Sequence, residues 1–277
     1  MKVPFNLTET INSRYSMRTF SSQEVNEETI KKLQDFWDCI SNPFGADVRI
    51  QFIKKNTSSE GEKLGTYGII KNAPLYIGVA VKKSEQALIG LGYQFEKLVL
   101  YATSLGLGTC WLGGTFNKSS FSKIMKTSQD EIFPIISPVG YGSGKKRLFE
   151  KIMRANIKAD NRLSWENLFF MNDSSTPLSM HAAGEYKNSL ELLRKAPSAV
   201  NKQPWRVIFH GNSFHFFEKQ TIKAGEETDI QKIDLGIGIC HFHMGAEEKN
   251  LKGHFKNELP EIQIPKDWEY ITSWIEE

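Results

Sequence analysis

Hydrophobic positions along the chain fall into two spacings, which predict both strands and helices in each half. Alternating or continuous apolar runs predict strands at residues 48–53, 75–81, 132–139, 207–209, 214–217 and 268–271. Apolar residues that recur every three or four positions predict helices at residues 84–104, 182–193 and 229–248. Ser22 is expected to open a further helix. The polar and basic residues 150–165 are expected to form a crossover between the halves.

The length and composition are those of an ordinary globular protein with room for two cores. The chain has 277 residues, of which 40% are hydrophobic and 24% are charged. Its net charge is only +3, and the lysines are scattered, as on solvated helix faces. This mild and mixed charge argues against a nucleic-acid partner.

The apolar runs and the cysteines bear on the cellular compartment. The longest apolar run, residues 75–81, is too short to span a bilayer, and the N-terminus lacks an apolar core of signal-peptide length. The three cysteines are few and widely spaced, which fits a reducing compartment without a disulfide framework. We therefore expect a cytoplasmic protein that does not associate with membranes.

A polar loop between two prolines is the first candidate site. It covers residues 195–206, with Pro197 near its start and a second proline directly after Gln203. Between the prolines, Ser198, Asn201 and Gln203 offer neutral hydrogen-bond donors and acceptors, which suit the edge of a flat heteroaromatic ligand. The alternative is an ordinary capped turn. A binding site would need a second wall elsewhere in the chain.

Two basic stretches are candidates for binding a phosphate. In the first, Arg14-x-Ser16-x-Arg18, two guanidinium groups and a hydroxyl can face one way from a helix end or a tight turn. The second is a glycine-rich strand end that finishes in the cations Lys146 and Arg147. The alternative for both stretches is a set of solvated cations without a ligand.

A glycine-rich stretch at residues 105–115 is a candidate for the second wall. Its spacing does not match a dinucleotide-binding or P-loop fingerprint. Gly113 and Gly114 could nevertheless offer backbone N–H groups to a flat ring, since no side chain stands in the way. The alternative is a glycine-rich helix end that runs into a strand.

Other chemistries lack the residues that they need. His241 and His243 lie two positions apart, so on a helix they point in different directions, and no set of carboxylates completes a metal site. The sequence has no Ser/His/Asp or Cys/His arrangement with a supporting context. We therefore expect neither a metal centre nor a covalent nucleophile.

Four motifs together resemble the nitroreductase family of flavoenzymes. They are Arg14-x-Ser16-x-Arg18, the glycine stretch 106–114, the strand end Pro138-Val139-Gly140-Tyr141 with its basic tail, and Pro197-Ser198-x-x-Asn201-x-Gln203. The resemblance covers nearly the whole chain. It implies an α+β fold, with an antiparallel or mixed sheet flanked by helices, and an FMN at a homodimer interface.

The motifs are divided between the halves in a way that departs from the family. In the family one chain carries them all, whereas here the arginine and glycine motifs lie in the first half and the Pro-Ser-x-x-Asn loop lies in the second. This division implies two nitroreductase-like lobes, residues 1–155 and 156–277, which form an intramolecular pseudo-dimer of a duplicated chain. We expect one composite FMN site per monomeric chain. A homodimer that completes the site by swapping is the alternative.

The resemblance also implies a role for each motif. The arginine motif and the basic tail would hold the FMN phosphate, the two glycines would place backbone N–H groups near the reactive ring nitrogen, and the Pro-Ser-x-x-Asn loop would contact the ribityl chain and the pyrimidine edge. The cofactor-binding residues expected on this basis are Arg14, Ser16, Arg18, Gly113, Gly114, Lys146, Arg147, Pro197, Ser198, Asn201 and Gln203.

The implied activity is that of an FMN-dependent NAD(P)H oxidoreductase. Hydride from NADH or NADPH would pass through the flavin to a small electron acceptor, such as a nitroaromatic compound or a quinone, in a ping-pong reaction. The sequence nominates no general acid, and Tyr67 is either a substrate-side lid residue or a packed core tyrosine. Two alternatives remain: an FMN-binding carrier or sensor without turnover, and a catalytically dead structural descendant.

Overall fold

The computed structural model describes residues 3–54, 65–144, 147–225 and 228–277. The helices in these ranges are α1 (Leu7–Ser13), α2 (Glu27–Cys39), α3 (Ala87–Ser104), α4 (Lys118–Met125), α5 (Leu148–Asn156), α6 (Lys187–Lys195) and α7 (Ile230–Glu248). The strands are β1 (Val48–Lys54), β2 (Leu75–Lys82), β3 (Gly108–Thr109), β4 (Glu131–Gly140), β5 (Phe169–Met171), β6 (Trp205–His210), β7 (Ser213–Lys219), β8 (Gly253–Lys256) and β9 (Trp268–Glu276). None of the described helices has both the length and the apolar character needed to cross a bilayer.

The strands form one sheet in each half of the chain. The first sheet has the order β1-β2-β4-β3 with antiparallel neighbours, and the second has the order β5-β6-β7-β9-β8, in which β5 runs parallel to β6. Apart from β5, both sheets have the same connectivity. A hairpin leads to a long helix, then to an edge strand, and the last strand lies between that edge and the hairpin. The fold is α+β with two lobes, while the division between residues 155 and 156 stays a prediction.

Two elements differ from the expectation drawn from the apolar pattern. Helix α2 does not begin at Ser22 but at Glu27, because Asn26 is the N-cap, and its side-chain oxygen accepts a 2.8 Å hydrogen bond from the backbone N–H of Thr29. Residues 150–165 are not a simple crossover, since most of helix α5 lies within them. That helix is short, and cations stand between its apolar residues, so the sequence shows no clear helical spacing of apolar positions.

Helices α3 and α7 cross at the centre of the molecule, and each is buried along most of its length. A Cβ atom added at Gly92 would fall well inside van der Waals contact with the carbonyl oxygen of Ile233. In the same way, a Cβ atom added at Gly236 would collide with the carbonyl oxygen of Ile89. In each helix, the glycine lies three positions after the isoleucine whose carbonyl oxygen meets the glycine of the other helix. The contact is therefore reciprocal. The two backbones pack directly against each other.

A substitution at this crossing tests how closely the lobes must approach. Gly236→Ala should lower the free energy of unfolding by about 1–3 kcal/mol, because the added methyl meets a backbone oxygen that cannot rotate away. Gly238→Ala is the matched control in the same helix, since its methyl would lie 3.2 Å from Cε3 of the Trp205 ring, and Ala favours a helix by about 1 kcal/mol. Chemical denaturation of both variants measures the difference. Equal losses would contradict the tight crossing.

Candidate functional site

A cavity of about 600 Å³ lies between the two lobes, and residues from both halves of the chain form its walls. The first half contributes the segment after α1, the glycine stretch after β3 and the end of α5. The second half contributes the loop after α6 and the first two turns of α7. The volume is within the range of about 300–1,000 Å³ that is usual for cofactor and ligand pockets.

Most of the residues proposed from the sequence line this cavity. They are Arg14, Ser16, Arg18, Gly113, Gly114, Pro197, Ser198 and Asn201. Three others do not line it, namely Tyr67, Arg147 and Gln203. Lys146 lies outside the described residues. The two motif sets therefore meet across the interface between the lobes, although they are far apart in the sequence.

The arginine motif begins at the end of helix α1 and continues along the cavity in extended backbone. Arg14 ends helix α1 with an extended conformation, and Ser16 then pairs in parallel with Thr109 of β3. In extended backbone every second side chain points the same way, which places the three motif residues on the cavity side. Met17 points to the other side and is buried against Gly108, where a Cβ atom would collide with it.

Two of the arginines that line the cavity have a side-chain nitrogen without a hydrogen-bond partner among the described residues. The Nε atom of Arg18 is buried and finds no hydrogen-bond acceptor among the described residues, and neither does the Nε atom of Arg162. Burial lowers the pKa of Arg14, the carboxylate of Glu96 opposes this effect, and the nearby Arg154 lowers the pKa further. Burial and then the charge of Arg14 lower the pKa of Arg162. Because each guanidinium disfavours the charge of its neighbours, an anion bound here would be strongly stabilised.

Arg154 and Arg162 were not proposed from the sequence. Both come from the connection between the lobes, which the pattern indicated only as a polar crossover. Arg154 contacts the exposed carboxylate of Asp160, while Arg162 donates to the backbone oxygen of Lys195 at 3.1 Å. The sequence signal was the density of cations in residues 150–165, but nothing in the sequence indicated which cations would point inward.

The two glycines of the opposite wall have different structural roles. A Cβ atom at Gly113 would lie 2.5 Å from Cδ1 of Ile230, so this glycine allows α7 of the second lobe to pack closely. A Cβ atom at Gly114 would meet nothing within 4 Å, so its backbone borders open space in the cavity. Of the two, Gly114 is the position where a ligand ring has room.

The wall beside the glycines is fixed by a buried polar chain. Trp111 lines the cavity, and its indole N–H donates to Oε2 of Glu96 at 2.9 Å. The other oxygen of Glu96 lies 3.0 Å from Nε2 of His241, whose Nδ1 donates to the carbonyl oxygen of Leu192 at 3.0 Å. Glu96 and His241 are fully buried. This series of hydrogen bonds joins α3 to α7 and holds the indole ring of Trp111 in one orientation.

The loop that follows α6 has a tightly determined shape. The hydroxyl oxygen of Ser198 accepts a 2.8 Å hydrogen bond from the backbone N–H of Gln203. The side-chain oxygen of Gln203 accepts from the N–H of Leu163 at 2.8 Å, so this buried amide braces the loop and does not face the cavity. The amide nitrogen of Asn201 donates to the backbone oxygens of Lys158 and Asn161, at 2.7 and 2.9 Å. Asn201 therefore ties the loop to the connection between the lobes.

The two other sequence candidates also lie outside the cavity walls. Arg147 precedes α5, and its guanidinium donates to the carbonyl oxygen of Ile69 at 2.6 Å and to the hydroxyl of Thr19 at 3.0 Å. Its cationic group is therefore used to fasten the start of α5. Tyr67 has 71% of its surface exposed and a left-handed backbone φ of +47°. It is not a packed core tyrosine, and its role as a lid stays a prediction.

An acidic residue in the cavity wall was missed from the sequence. Asp234 lies on the face of α7 that presents Ile230, Ile233 and Ile237 to the cavity, and only 4% of its surface is exposed. Its two carboxyl oxygens are 3.1 and 3.0 Å from the backbone nitrogen of Ala199, which donates to them. Burial raises the pKa of Asp234 well above its usual range. The sequence signal was a single acid within a stripe of isoleucines.

The corresponding region on the other side of the helix crossing is filled by aromatic rings. Tyr93 directly follows Gly92 in α3, as Ile237 directly follows Gly236 in α7. The two residues therefore hold equivalent positions in the two helices. Tyr93 packs edge-on against Phe44, with 5.7 Å between the ring centroids, and its hydroxyl lies 2.5 Å from Nδ1 of His243. Phe255 packs against Phe44 at 5.6 Å. These rings fill that side of the helix crossing.

Comparison with known proteins gives the class of the chain. It belongs to the family described as "Putative TM nitroreductase", whose model matches residues 6–246. A crystal structure of a nitroreductase-type protein from Thermotoga maritima covers 99% of this chain and 95% of its own, with a TM-score of 0.63 and 20% sequence identity. This likeness over nearly the whole length shows that the two chains share the two-lobed fold.

Two further relatives cover parts of the chain. A Methanothermobacter thermautotrophicus protein named "Putative NADH dehydrogenase/NAD(P)H nitroreductase" is 34% identical over 115 residues, which are 38% of this chain and 59% of the relative's own length. The structure of an FMN-dependent nitroreductase from Clostridium difficile covers 50% of this chain and 88% of its own, at 18% identity and a TM-score of 0.39.

The backbone of the loop at Val200 provides a test of its strain. Val200 has a φ of +50° and 56% of its surface is exposed, so a β-branched residue is held in the left-handed region without burial to compensate. Val200→Gly should raise the free energy of unfolding by about 0.5–1 kcal/mol, because relief of about 1–2 kcal/mol of strain exceeds the entropy cost of glycine. Val200→Ala is the control, which retains a Cβ and should gain little. A loss of stability in Val200→Gly would show that the loop is unstrained.

Proposed function

We propose that the protein is an FMN-dependent NAD(P)H oxidoreductase of the nitroreductase type, with one FMN site in each chain. The observation that carries the proposal is the meeting of the motifs in one cavity. The arginine motif and Gly114 come from the first lobe, while Ser198 comes from the second. Family membership agrees with this reading of the cavity.

The chemistry of the cavity walls fits FMN from one end to the other. The guanidinium groups of Arg18 and Arg162 suit a phosphate, since the Nε atom of each is buried without a hydrogen-bond acceptor among the described residues, and Arg14 lines the same cavity. Gly114 leaves room for a flat ring, and the hydroxyl of Ser198 is placed to donate to a ligand while it accepts from the loop. FMN, when bound, supplies the hydride-accepting and electron-donating chemistry.

The rest of the cavity determines which electron donors and acceptors can contact the flavin. Its far wall is the isoleucine face of α7, which includes Ile233 and Ile237, and Trp111 stands at the side. These surfaces suit a nicotinamide ring and a small aromatic acceptor, such as a nitroaromatic compound or a quinone, but not both at once. The donor and the acceptor would therefore enter in turn, as a ping-pong reaction requires. NADH and NADPH are both admitted as donors in this proposal.

The proposed stoichiometry is one FMN per chain, in a protein that functions as a monomer. The aromatic cluster of Phe44, Tyr93 and Phe255 occupies the region related to the cavity by the helix crossing. The matched connectivity of the two sheets supports a duplicated chain that folds as a pseudo-dimer. Since both walls of the cavity come from one chain, a second copy is not required to complete the site.

Flavin binding is the first measurement. Purified protein is mixed with excess FMN, gel-filtered, and scanned in the visible range at known protein concentration. About one oxidised flavin per chain is expected, and the addition of NADH or NADPH should then bleach the flavin bands. A ratio of two per chain would contradict the single composite site, and a colourless protein would contradict the function itself.

The phosphate end is tested by one arginine. Arg18→Ala should weaken FMN binding by about 1.5–3 kcal/mol, the loss expected when a charge-assisted hydrogen bond is removed. Riboflavin, which lacks the phosphate, should bind the variant and the parent equally well. Lys31→Ala is the control, because Lys31 forms an exposed pair with Asp35 on α2 and does not line the cavity. An unchanged dissociation constant for FMN would remove Arg18 from the site.

A further inference from the structure

The carboxyl group of Asp234 is unusual among the polar groups of the cavity, because no cation pairs with it among the described residues and a single backbone N–H is its hydrogen-bond partner. The neighbouring positions on its face of α7, Ile230, Ile233 and Ile237, are all apolar. Within the described residues it accepts only from the N–H of Ala199, and it forms no ion pair with a cation. A carboxylate in such surroundings would lose its hydration without a compensating partner.

The charged groups nearest to Asp234 also disfavour its ionisation. Asp229 at the start of the same helix and Glu218 on strand β7 are both acids, and both raise the pKa of Asp234 in addition to the effect of burial. The ammonium nitrogen of Lys232 forms ion pairs with carboxylate oxygens of Glu218 and Glu269, at 2.9 and 2.6 Å. The arginines of the cavity do not offset this effect, since none of them is an ion-pair partner of Asp234 among the described residues.

A neutral carboxyl group has one proton to donate, and the protein offers it no acceptor. The only partner of Asp234 in the described part of the chain is a backbone N–H, which is itself a donor. The carboxyl group lines the cavity and is buried from bulk water, with 4% of the residue exposed. A buried donor without a partner is costly, so its natural acceptor is an atom of the molecule that the cavity holds.

We propose that Asp234 donates a hydrogen bond from a neutral carboxyl group to a nitrogen or oxygen of the flavin ring. The identity of the ligand rests on the proposed function, whereas the protonated state does not. Ala199 would fix the orientation of the group by donating to its other oxygen. Such a donor would favour the electron-rich, reduced flavin over the oxidised one. Asp234 would thus be a cofactor-contacting residue that tunes the flavin through a neutral group.

The protonated state is tested on the protein without flavin. Asp234→Asn keeps an oxygen for Ala199 and a donor for the cavity, but it does not titrate. In the parent, the unfolded chain ionises above the ordinary pKa of 3.8 while the folded chain holds its proton. The parent should therefore lose stability relative to Asp234→Asn as the pH rises from about 4 to 7. A difference that stays flat over this range would overturn the proposal.

The hydrogen bond to the flavin is tested by infrared difference spectroscopy with FMN. The parent should show the carbonyl stretch of a protonated carboxyl group, which shifts when FMN binds and is absent from Asp234→Asn. A purely structural aspartate would give no such shift, and a band that is absent or unmoved on binding would overturn the proposal. The visible spectrum of the same sample measures bound FMN independently. If no FMN binds, the proposed function and the contact with flavin both fail, while the titration without flavin still decides the protonated state.

Discussion

Helices α3 and α7 cross with backbone against backbone, because Gly92 and Gly236 leave no side chain between them. This contact sets the distance between the lobes and therefore also the separation of the cavity walls. The same approach brings Ile230 of α7 onto Gly113 of the first lobe. If the helices were separated by the width of a methyl group, the two walls of the cavity would move apart together. The shape of the site is thus set largely at a point that no ligand would touch.

The cavity is lined by several positively charged arginines and by the buried acid Asp234. Arginines that disfavour each other's charge lie at one end, while a buried acid that disfavours its own charge lies in the isoleucine face. The indole of Trp111 also lines the cavity, and its orientation depends on Glu96 and His241. A ligand that carries an anion on one end and a neutral, electron-accepting ring on the other matches this order. The geometry and the electrostatics therefore favour the same class of ligand.

The sequence predicted the fold class and most of the cavity walls, but not the parts that depend on packing between distant segments. The arginine motif, Gly114 and Ser198 were found because their residue types suit a phosphate, a flat ring and a polar edge. Arg162 and Asp234 were missed because their neighbours come from other parts of the chain. Gln203 and Arg147 show the converse. Each has a suitable side chain, but hydrogen bonds to backbone groups that are distant in the sequence use its polar atoms.

The aromatic cluster around Tyr93 has a consequence for how such a protein can change. In a symmetric homodimer, each substitution is repeated in both sites. Here the cavity has two walls of different sequence, while Phe44, Tyr93 and Phe255 occupy the related space. A substitution in one lobe has no copy in the other lobe. In the proposed enzyme, a change at the cavity therefore does not have to be tolerated a second time elsewhere in the molecule.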